Sequence, residues 1–251
     1  MEHIITALSS LPNTHTQSTY AHTAAVWSAT PTHIVRDVWC GAGRCFPLLQ
    51  DALPWLDYTG IDFSPSFVEL ARQEYPAATF VCQDMISFLQ AQPSQSSNAI
   101  IGVASIQHLP THLDRARFFV ESYRTLAYWG SLILVNRSFS EWFFSTYTWP
   151  FVEALLYRAW SLWQKHWNDL SIPRKGPDHQ RNGQTFARFY HIFTLRELRS
   201  YALQAGFTIE ELCLVDTTWA KTHQMRHARN SFLVARKMPI KAFFVTAFPW
   251  A

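Results

Sequence analysis

The chain has 251 residues, which is enough for one α/β domain with an insertion, and we expect that arrangement over two small domains. Its residues are 48% hydrophobic and 16% charged, so the chain can bury a core, and no uninterrupted apolar run reaches the roughly 18 residues of a membrane span. The net charge of +3 is too small to indicate a nucleic-acid-binding protein by itself, although residues 221–237 contain five Lys or Arg and no acid.

Cysteine spacing and the N-terminal residues indicate the cellular compartment. The four cysteines form no C-x-x-C pair and have no His-rich ligand spacing, so we expect free thiols, no disulfide and no metal site. The segment MEHIITALSS lacks the basic region and apolar run of a secretory signal. We therefore expect a cytoplasmic protein without stable membrane insertion.

Short apolar strand patterns alternate with helical patterns along most of the chain. The strands are apolar throughout rather than alternating, which predicts a buried, doubly wound, mostly parallel sheet of seven strands with helices on both faces. The predicted strands are His33–Val38, Tyr58–Asp62, Thr79–Cys82, Ala99–Val103, Leu132–Asn136, Phe207–Leu214 and Ser231–Arg236. The predicted helices follow Gly43, begin at Pro65 with Phe67, Leu70 and Ala71 facing inward, and span His112–Leu126 and Leu195–Ala205.

The alternation of strands and helices is interrupted after residue 137, which indicates an insertion. We expect an N-terminal arm or lid at 1–30, one domain at 31–237 and a C-terminal tail at 238–251. The insertion covers about 138–187, and its polar second part, 169–187, contains two prolines and two glycines and is predicted to be a loop.

The turn after the first strand is the strongest candidate for a ligand site. In an open α/β sheet, a small-residue turn at the end of a strand lets the backbone approach a ligand. The expected pattern is acid-x-Gly-x-Gly-x-Gly, and residues 37–43 read DVWCGAG, with Trp39 in place of the first glycine. Asp37, Asp62 and Asp84 lie at the carboxyl ends of successive strands, and a carboxylate about twenty residues beyond the turn can accept both hydroxyls of a ribose. Strand-terminal acids also cap helices, but the three together favour a ligand site.

The ordered segments DVWCGAGR, YTGIDFSP, VCQDM, IIGVASIQHLP and RTLAYWGSLILV resemble the motifs of class I S-adenosylmethionine-dependent methyltransferases. The resemblance covers about residues 33–137 and implies a Rossmann-like fold, methyltransferase activity and S-adenosyl-L-methionine as cofactor. It assigns the methionine part of the cofactor to the turn after the first strand and the ribose hydroxyls to Asp62. It assigns one face of the adenine to Phe63 and the adenine edge to Asp84 with Met85. The implied cofactor-binding residues are Asp37, Cys40, Gly41, Gly43, Asp62, Phe63, Asp84, Met85 and Ser105.

A narrower resemblance is carried by SIQHLPTHLDRARFF, RFYHIFTLRELRSYALQAGF and RNSFLVARK. These segments are similar to the methyltransferases that esterify a carboxymethyl group on the wobble uridine of tRNA. The resemblance implies tRNA as partner and allows a small activator protein as a second one. It implies His108, Arg188 and His191 as catalytic residues, and Arg115, Tyr190, Arg229 and Asn230 as substrate-binding residues.

These residues also have interpretations that are purely structural. His108 can be a hydrogen-bonded residue at a strand end, Tyr190 can belong to the core, and a basic surface is usually only solvated. Two other functions also remain open. One is a small-molecule or quinone-type methyltransferase whose aromatic segment, residues 142–163, binds a lipophilic acceptor. The other is a binding protein that keeps the fold and has lost the cofactor.

Trp39 and Trp129 stand where glycine is expected, the latter in LAYWGS, where the resembled methyltransferases have Gly-Gly. The chain has 8 Gly and 11 Trp, which sum to 19. A typical glycine content of about 7% would give roughly 18. We interpret the two residues as UGA codons that mean glycine in the source genome and were translated as tryptophan, with Trp27, Trp55 and Trp149 as weaker candidates. The alternative is that they are genuine and the protein is a degenerate methyltransferase.

Overall fold

The computed structural model describes residues 33–53, 55–138, 168–175, 185–216, 220–224 and 228–239, with short parts of 148–156. The predicted N-terminal arm lies outside the described residues. So do most of the predicted insertion and nearly all of the predicted tail.

The strands form a doubly wound, mostly parallel sheet, as predicted. Within the described residues, the order of strands across the sheet is β3-β2-β1-β4-β5-β10-β8-β9. Strands β1 to β5 run parallel to one another. Strand β10 runs antiparallel to β5 and β8, and β9 pairs antiparallel with β8. The seven predicted strands are confirmed, and two-residue β9 is an eighth. The strands of this sheet are β1 His33–Val38, β2 Leu56–Asp62, β3 Thr79–Cys82, β4 Ser97–Val103, β5 Leu126–Arg137, β8 Thr208–Val215, β9 Lys221–Thr222 and β10 Asn230–Arg236.

Helices cover both faces of the sheet, because adjacent residues of each buried strand project to opposite sides. Val35 packs with the buried side chains of α1 and α2, whereas Val38 packs with those of α3, α4 and α5. The ends of the strands between these layers carry the predicted site. The helices are α1 Phe46–Ala52, α2 Pro65–Glu74, α3 Met85–Ala91, α4 His112–Thr125 and α5 Leu195–Gln204, with a 3-10 turn at Ile106–His108.

Side-chain caps fix where three of these helices begin. Asp84 accepts a hydrogen bond from the Ser87 N–H ahead of α3, and Thr111 accepts one from the Asp114 N–H ahead of α4. Thr194 and Glu197 form a reciprocal capping box at the start of α5. The capping box ties α5 to the segment that precedes it.

The inward face predicted for α2 is confirmed at Ala71 and wrong at Phe67 and Leu70. Val68 and Ala71 are buried, whereas Phe67 and Leu70 are 46% and 48% exposed. One residue turns a helix by about 100°, so relative to a stripe centred between 68 and 71, residue 67 lies at the margin, about 70° away, and residue 70 lies about 130° away. The small side chains at 68 and 71 allow α2 to lie close to the sheet.

The loop predicted at 169–187 is wrong at 169–175 and 185–187, which belong to two strands, and residues 176–184 lie outside the described part of the chain. Strand β6, Asp169–Lys175, pairs antiparallel with β7, Thr185–His191, in a separate two-stranded sheet. Pro173 indicated a loop, but within the described ranges each of these strands pairs with one partner, so a proline is tolerated where no second ladder needs its N–H. The hairpin packs against the 3-10 turn after β4 through His108.

Candidate functional site

The turn after β1 has a backbone that favours glycine at alternate positions. Residues 39, 41 and 43 have φ of 67°, 59° and 78°, all in the left-handed region. Gly43 is also sterically required, because a Cβ there would lie 2.8 Å from the Phe80 ring. The Trp39 and Cys40 N–H groups both donate to the Ile61 carbonyl, at 2.6 and 2.9 Å. The fold therefore adopts the predicted acid-x-Gly-x-Gly-x-Gly turn, with Trp39 in a glycine conformation.

Asp62 closes this turn from the end of β2. Its Oδ2 accepts the Gly41 N–H at 2.9 Å and its Oδ1 accepts the Ser64 N–H at 2.9 Å. The residue is buried, so these bonds hold its carboxylate in one orientation. Asp62, predicted from the sequence as a ribose-binding acid, therefore lies beside the turn with a fixed orientation.

Asp37 lies at the end of β1 beside the turn. The Tyr58 hydroxyl donates to its Oδ2 at 2.7 Å, whereas its buried Oδ1 accepts no hydrogen bond from the described part of the chain. Burial raises the pKa of Asp37 to about 6, although the Tyr58 hydrogen bond acts in the opposite direction. An unsatisfied carboxylate oxygen of this kind suits a cationic or N–H group of a ligand.

Four aromatic rings form a row across the strand ends. The Trp39 ring lies 4.7 Å from that of Phe63 and is stacked at 5.0 Å on His108, and Tyr190 meets His108 edge-on at 4.6 Å. His108 Nδ1 lies 2.9 Å from the Phe189 carbonyl oxygen, so this nitrogen carries the proton. The structure thus brings together residues predicted for the cofactor, for catalysis and for the substrate.

Three further residues of the predicted cofactor-binding set lie outside the turn and the aromatic row. Asp84 is exposed and caps α3, and Met85 belongs to the core cluster beneath that helix. Ser105 is fully buried, and its Oγ has no hydrogen-bond partner in the described ranges. Of the three, only Ser105 offers an unsatisfied polar atom at the strand ends.

The predicted catalytic residues of β7 lie on different faces of that strand. Arg188 is half-buried and shares the face of Tyr190, because residues two apart in a strand project to the same side. His191 projects to the opposite face, where its Nδ1 lies 2.6 Å from Asp169 Oδ1 and its Nε2 lies 3.5 Å from Glu197 Oε1. The structure therefore places Arg188, but not His191, on the side of the aromatic row.

The predicted substrate residue Arg115 lies in the same buried network as His191. Its side chain is 1% exposed, lies 3.8 Å from Asp169 and donates to the Leu109 carbonyl at 3.0 Å. Burial opposes ionisation of Glu197, but hydrogen bonds from His191 and Thr194 outweigh it and lower the pKa to about 2. This network joins α4, α5 and the hairpin and explains both buried residues as structural links.

The basic run at 221–237 is partly neutralised by acids on β8. Lys221 Nζ lies 2.9 Å from Glu211, and Arg236 pairs with Glu210 at 3.0 Å. Lys237 is buried and donates to the Leu126 carbonyl at 2.7 Å. These three basic residues are therefore less available to phosphates than the composition of the run indicated, and Arg226 lies outside the described residues.

The remaining predicted substrate residues, Arg229 and Asn230, flank the start of β10. Arg229 is half-buried, and its N–H donates to the Val215 carbonyl at 2.8 Å. Asn230 pairs in register with Arg137 at the end of β5. Sequence reasoning missed the neighbouring Asn136, which is fully buried with both polar side-chain atoms unpartnered in the described residues. Its sequence signal is an amide that directly follows the apolar run LILV.

Neither a metal centre nor a membrane-spanning helix is found in the part of the chain that the structure describes. Those residues include no group of three or more His, Cys, Asp or Glu side chains placed to hold a metal ion. None of the described helices is long and apolar enough to cross a bilayer.

This sheet order, with a glycine-type turn after β1 and an acid after β2, is the fold of class I methyltransferases. Residues 35–130 match a family model described as a methyltransferase domain. The chain superposes on an S-adenosylmethionine-dependent methyltransferase from Methanosarcina mazei with a TM-score of 0.64 and 18% identity, over 83% of this chain and 94% of that one. A second such structure, from Clostridium acetobutylicum, gives a TM-score of 0.62 and 12% identity, over 92% and 94%.

A curated relative is similar in sequence over a shorter part of the chain. Trans-aconitate 2-methyltransferase of Escherichia coli O17:K52:H18 is 40% identical over 80 residues, which cover 32% of this chain and 31% of the relative. The match therefore spans about a third of the length of that relative. The fold and the methyltransferase domain are shared, whereas the resemblance to tRNA wobble-uridine methyltransferases is not confirmed.

Proposed function

We propose that the protein is an S-adenosylmethionine-dependent methyltransferase. The observation that carries the proposal is the turn after β1, where residues 39, 41 and 43 are all left-handed and the Gly41 N–H is held by Asp62. Together with the family match over residues 35–130, this turn is the expected cradle for the cofactor.

The acids and backbone of the site fit this cofactor. Each Asp62 oxygen accepts one backbone N–H and keeps capacity for a ribose hydroxyl, because a carboxylate oxygen accepts about two hydrogen bonds. Asp37 Oδ1 offers a buried acceptor for the ammonium of the methionine part, and exposed Phe63 offers a face for the adenine. The bound cofactor would supply a methyl group on a sulfonium, which the protein needs mainly to align with the nucleophile. The Trp39 indole is the one feature that does not fit.

The acceptor that the site supports best is a carboxylate. A carboxylate is already ionised at neutral pH, so the protein must orient it rather than remove a proton. Arg188, which lies on the Tyr190 face of β7, provides a cation that can bind both carboxylate oxygens. The curated relative is named for trans-aconitate, which is itself a carboxylate.

Two classes of acceptor molecule carry such a carboxylate, and experiment can distinguish them. The first is the carboxymethyl group of a wobble uridine in tRNA, which the sequence resemblance favours and for which Tyr190 offers a stacking surface. The second is a small free acid, which the curated relative favours. The pairing of Lys221 and Arg236 with acids also favours the small acid, since it weakens the basic surface that RNA requires.

Methyl transfer from labelled S-adenosylmethionine distinguishes these acceptors. The full chain with Trp39→Gly is incubated with tRNA that carries unesterified carboxymethyluridine or with a panel of di- and tricarboxylic acids, and alkali-labile methyl ester is measured. The same protein with Asp62→Ala is the matched control, since it lacks the carboxylate that holds the turn. Label in tRNA supports the first source, and label in a small acid supports the second. Absence of both cofactor binding and transfer would refute the proposed class.

A further inference from the structure

Trp129 occupies a backbone conformation that the fold imposes. Its φ is 68°, its N–H donates to the Lys237 carbonyl at 2.7 Å, and its carbonyl accepts from Arg236 at 3.2 Å. Both bonds are made to the end of β10 and are independent of the indole, which is 56% exposed. The left-handed conformation therefore comes from the junction of β5 and β10, and the side chain contributes little to it.

Trp39 occupies the same kind of backbone position at the ligand site. Its conformation continues that of Gly41 and Gly43, and its N–H is bound to the Ile61 carbonyl. Its indole, however, contacts the rings of Phe63 and His108, so it fills space at the strand ends that the other site residues surround. The backbone of residue 39 is suited to bind a ligand, whereas its side chain fills the space where the ligand would lie.

Left-handed tryptophans are unusual, because a Cβ in that conformation approaches the following carbonyl oxygen. Among the described residues other than glycine, four have a positive φ, and two of the four are tryptophan. The whole chain has 11 Trp and only 8 Gly. Chance placement of tryptophan does not explain why it should occur at two separate left-handed positions, one in the turn after β1 and one within β5.

We propose that glycine is the residue specified at positions 39 and 129, through UGA codons read as glycine, and that a glycine at position 39 opens a cleft for an adenosyl-type ligand beside Phe63 and His108. The Trp39 indole closes this cleft in the chain as written. The identity of the ligand rests on the proposed function, whereas the glycine assignment rests on the backbone alone.

The coding part of the proposal is tested on the gene and on the protein from its source. We expect UGA at codons 39 and 129, and peptides from the source organism with the mass of glycine at both positions. UGG at either codon, or a peptide with tryptophan, would overturn the assignment for that position. Trp149, a weaker candidate from the sequence, is the internal comparison. It lies in a helical segment, where the backbone does not require glycine, so we expect UGG at its codon.

The backbone part is tested by comparing Trp129→Gly with Trp129→Ala in the full chain. Both variants remove the exposed indole, but only glycine relieves the left-handed strain. We expect the folded-to-unfolded ratio of the glycine variant to exceed that of the alanine variant by about 5- to 30-fold in urea unfolding. Equal stability of the two variants would show that the position does not require glycine.

The cleft is tested by calorimetric binding of S-adenosylhomocysteine to the chain as written and to its Trp39→Gly variant. We expect saturable binding to the glycine variant and none to the tryptophan chain at the same concentrations. Equal binding by both chains would overturn the closed cleft but leave the proposed function intact. If neither binds while Trp129→Gly is the more stable variant, the proposed function fails and the glycine assignment stands.

Discussion

Replacing Asp37 with asparagine should stabilise the protein at neutral pH while impairing its ligand site. Asp37 is buried at the end of β1, where the Tyr58 hydroxyl donates to its Oδ2 at 2.7 Å. Burial raises its pKa to about 6 from an ordinary value of 3.8. Above pH 6 the fold therefore contains a buried carboxylate that the unfolded chain would keep in water.

The pKa difference gives the size and the sign of the effect. The folded-state pKa is above the unfolded one, so the stabilising contribution of Asp37 is complete below about pH 3.8 and is lost as the pH rises through about 6. A difference of about 2 between the two values, at about 1.36 kcal/mol each, corresponds to roughly 3 kcal/mol. Asparagine resembles the protonated acid, so Asp37→Asn should gain up to that amount at pH 7.5 and almost nothing near pH 4.

Urea unfolding of both proteins between pH 4 and pH 8 measures this difference. Tyr58→Phe is the matched comparison: it removes the hydroxyl that donates to Asp37 and should lower stability most at the pH where the carboxylate is ionised. The reasoning would be refuted if Asp37→Asn were less stable than the parent at pH 7.5, or if the difference did not change with pH. In a Trp39→Gly background, the same substitution should also weaken S-adenosylhomocysteine binding, measured by calorimetry.

Three other substitutions test the assignments made above. Arg115→Ala should lower the free energy of unfolding by about 3–5 kcal/mol, because it removes a buried guanidinium that lies beside Asp169 and donates to the Leu109 carbonyl, and urea unfolding with Arg115→Lys as comparison measures this. Thr194→Ala should cost about 1 kcal/mol by removing the capping box of α5, and a thermal unfolding scan that shows no decrease would contradict it. Arg188→Gln should raise KM for a carboxylate acceptor about 10- to 100-fold with an unchanged Tm, whereas an unchanged KM would remove Arg188 from the acceptor site.

Local patterns in the sequence were sufficient for much of the fold. Strand β1 and helix α2 were predicted at the bounds that the structure has, since a continuous apolar run and a proline in the first helical turn are signals contained in a few adjacent residues. The turn after β1 was likewise predicted, and its left-handed backbone shows why Trp39 looked misplaced. In each case, neighbouring residues alone constrain the backbone.

The side chains that meet at the site were decided by tertiary structure. The β6–β7 hairpin depends on pairing across segments up to 22 residues apart, and its register turns Tyr190 toward His108 and His191 toward Asp169. A one-residue change of register would exchange these two faces, and nothing in the adjacent sequence fixes it.

The sequence by itself determined seven strands of the main sheet, four of its helices, the position of the ligand turn and the acids at the strand ends, because these depend on local periodicity and on residue types beside a turn. Only the tertiary structure decided that Arg115 and His191 are buried links and that the basic run is paired with acids on β8. It also decided that the Trp39 indole lies against Phe63 and His108. Burial and pairing are properties of residues distant in sequence, so they arise only when the chain is folded.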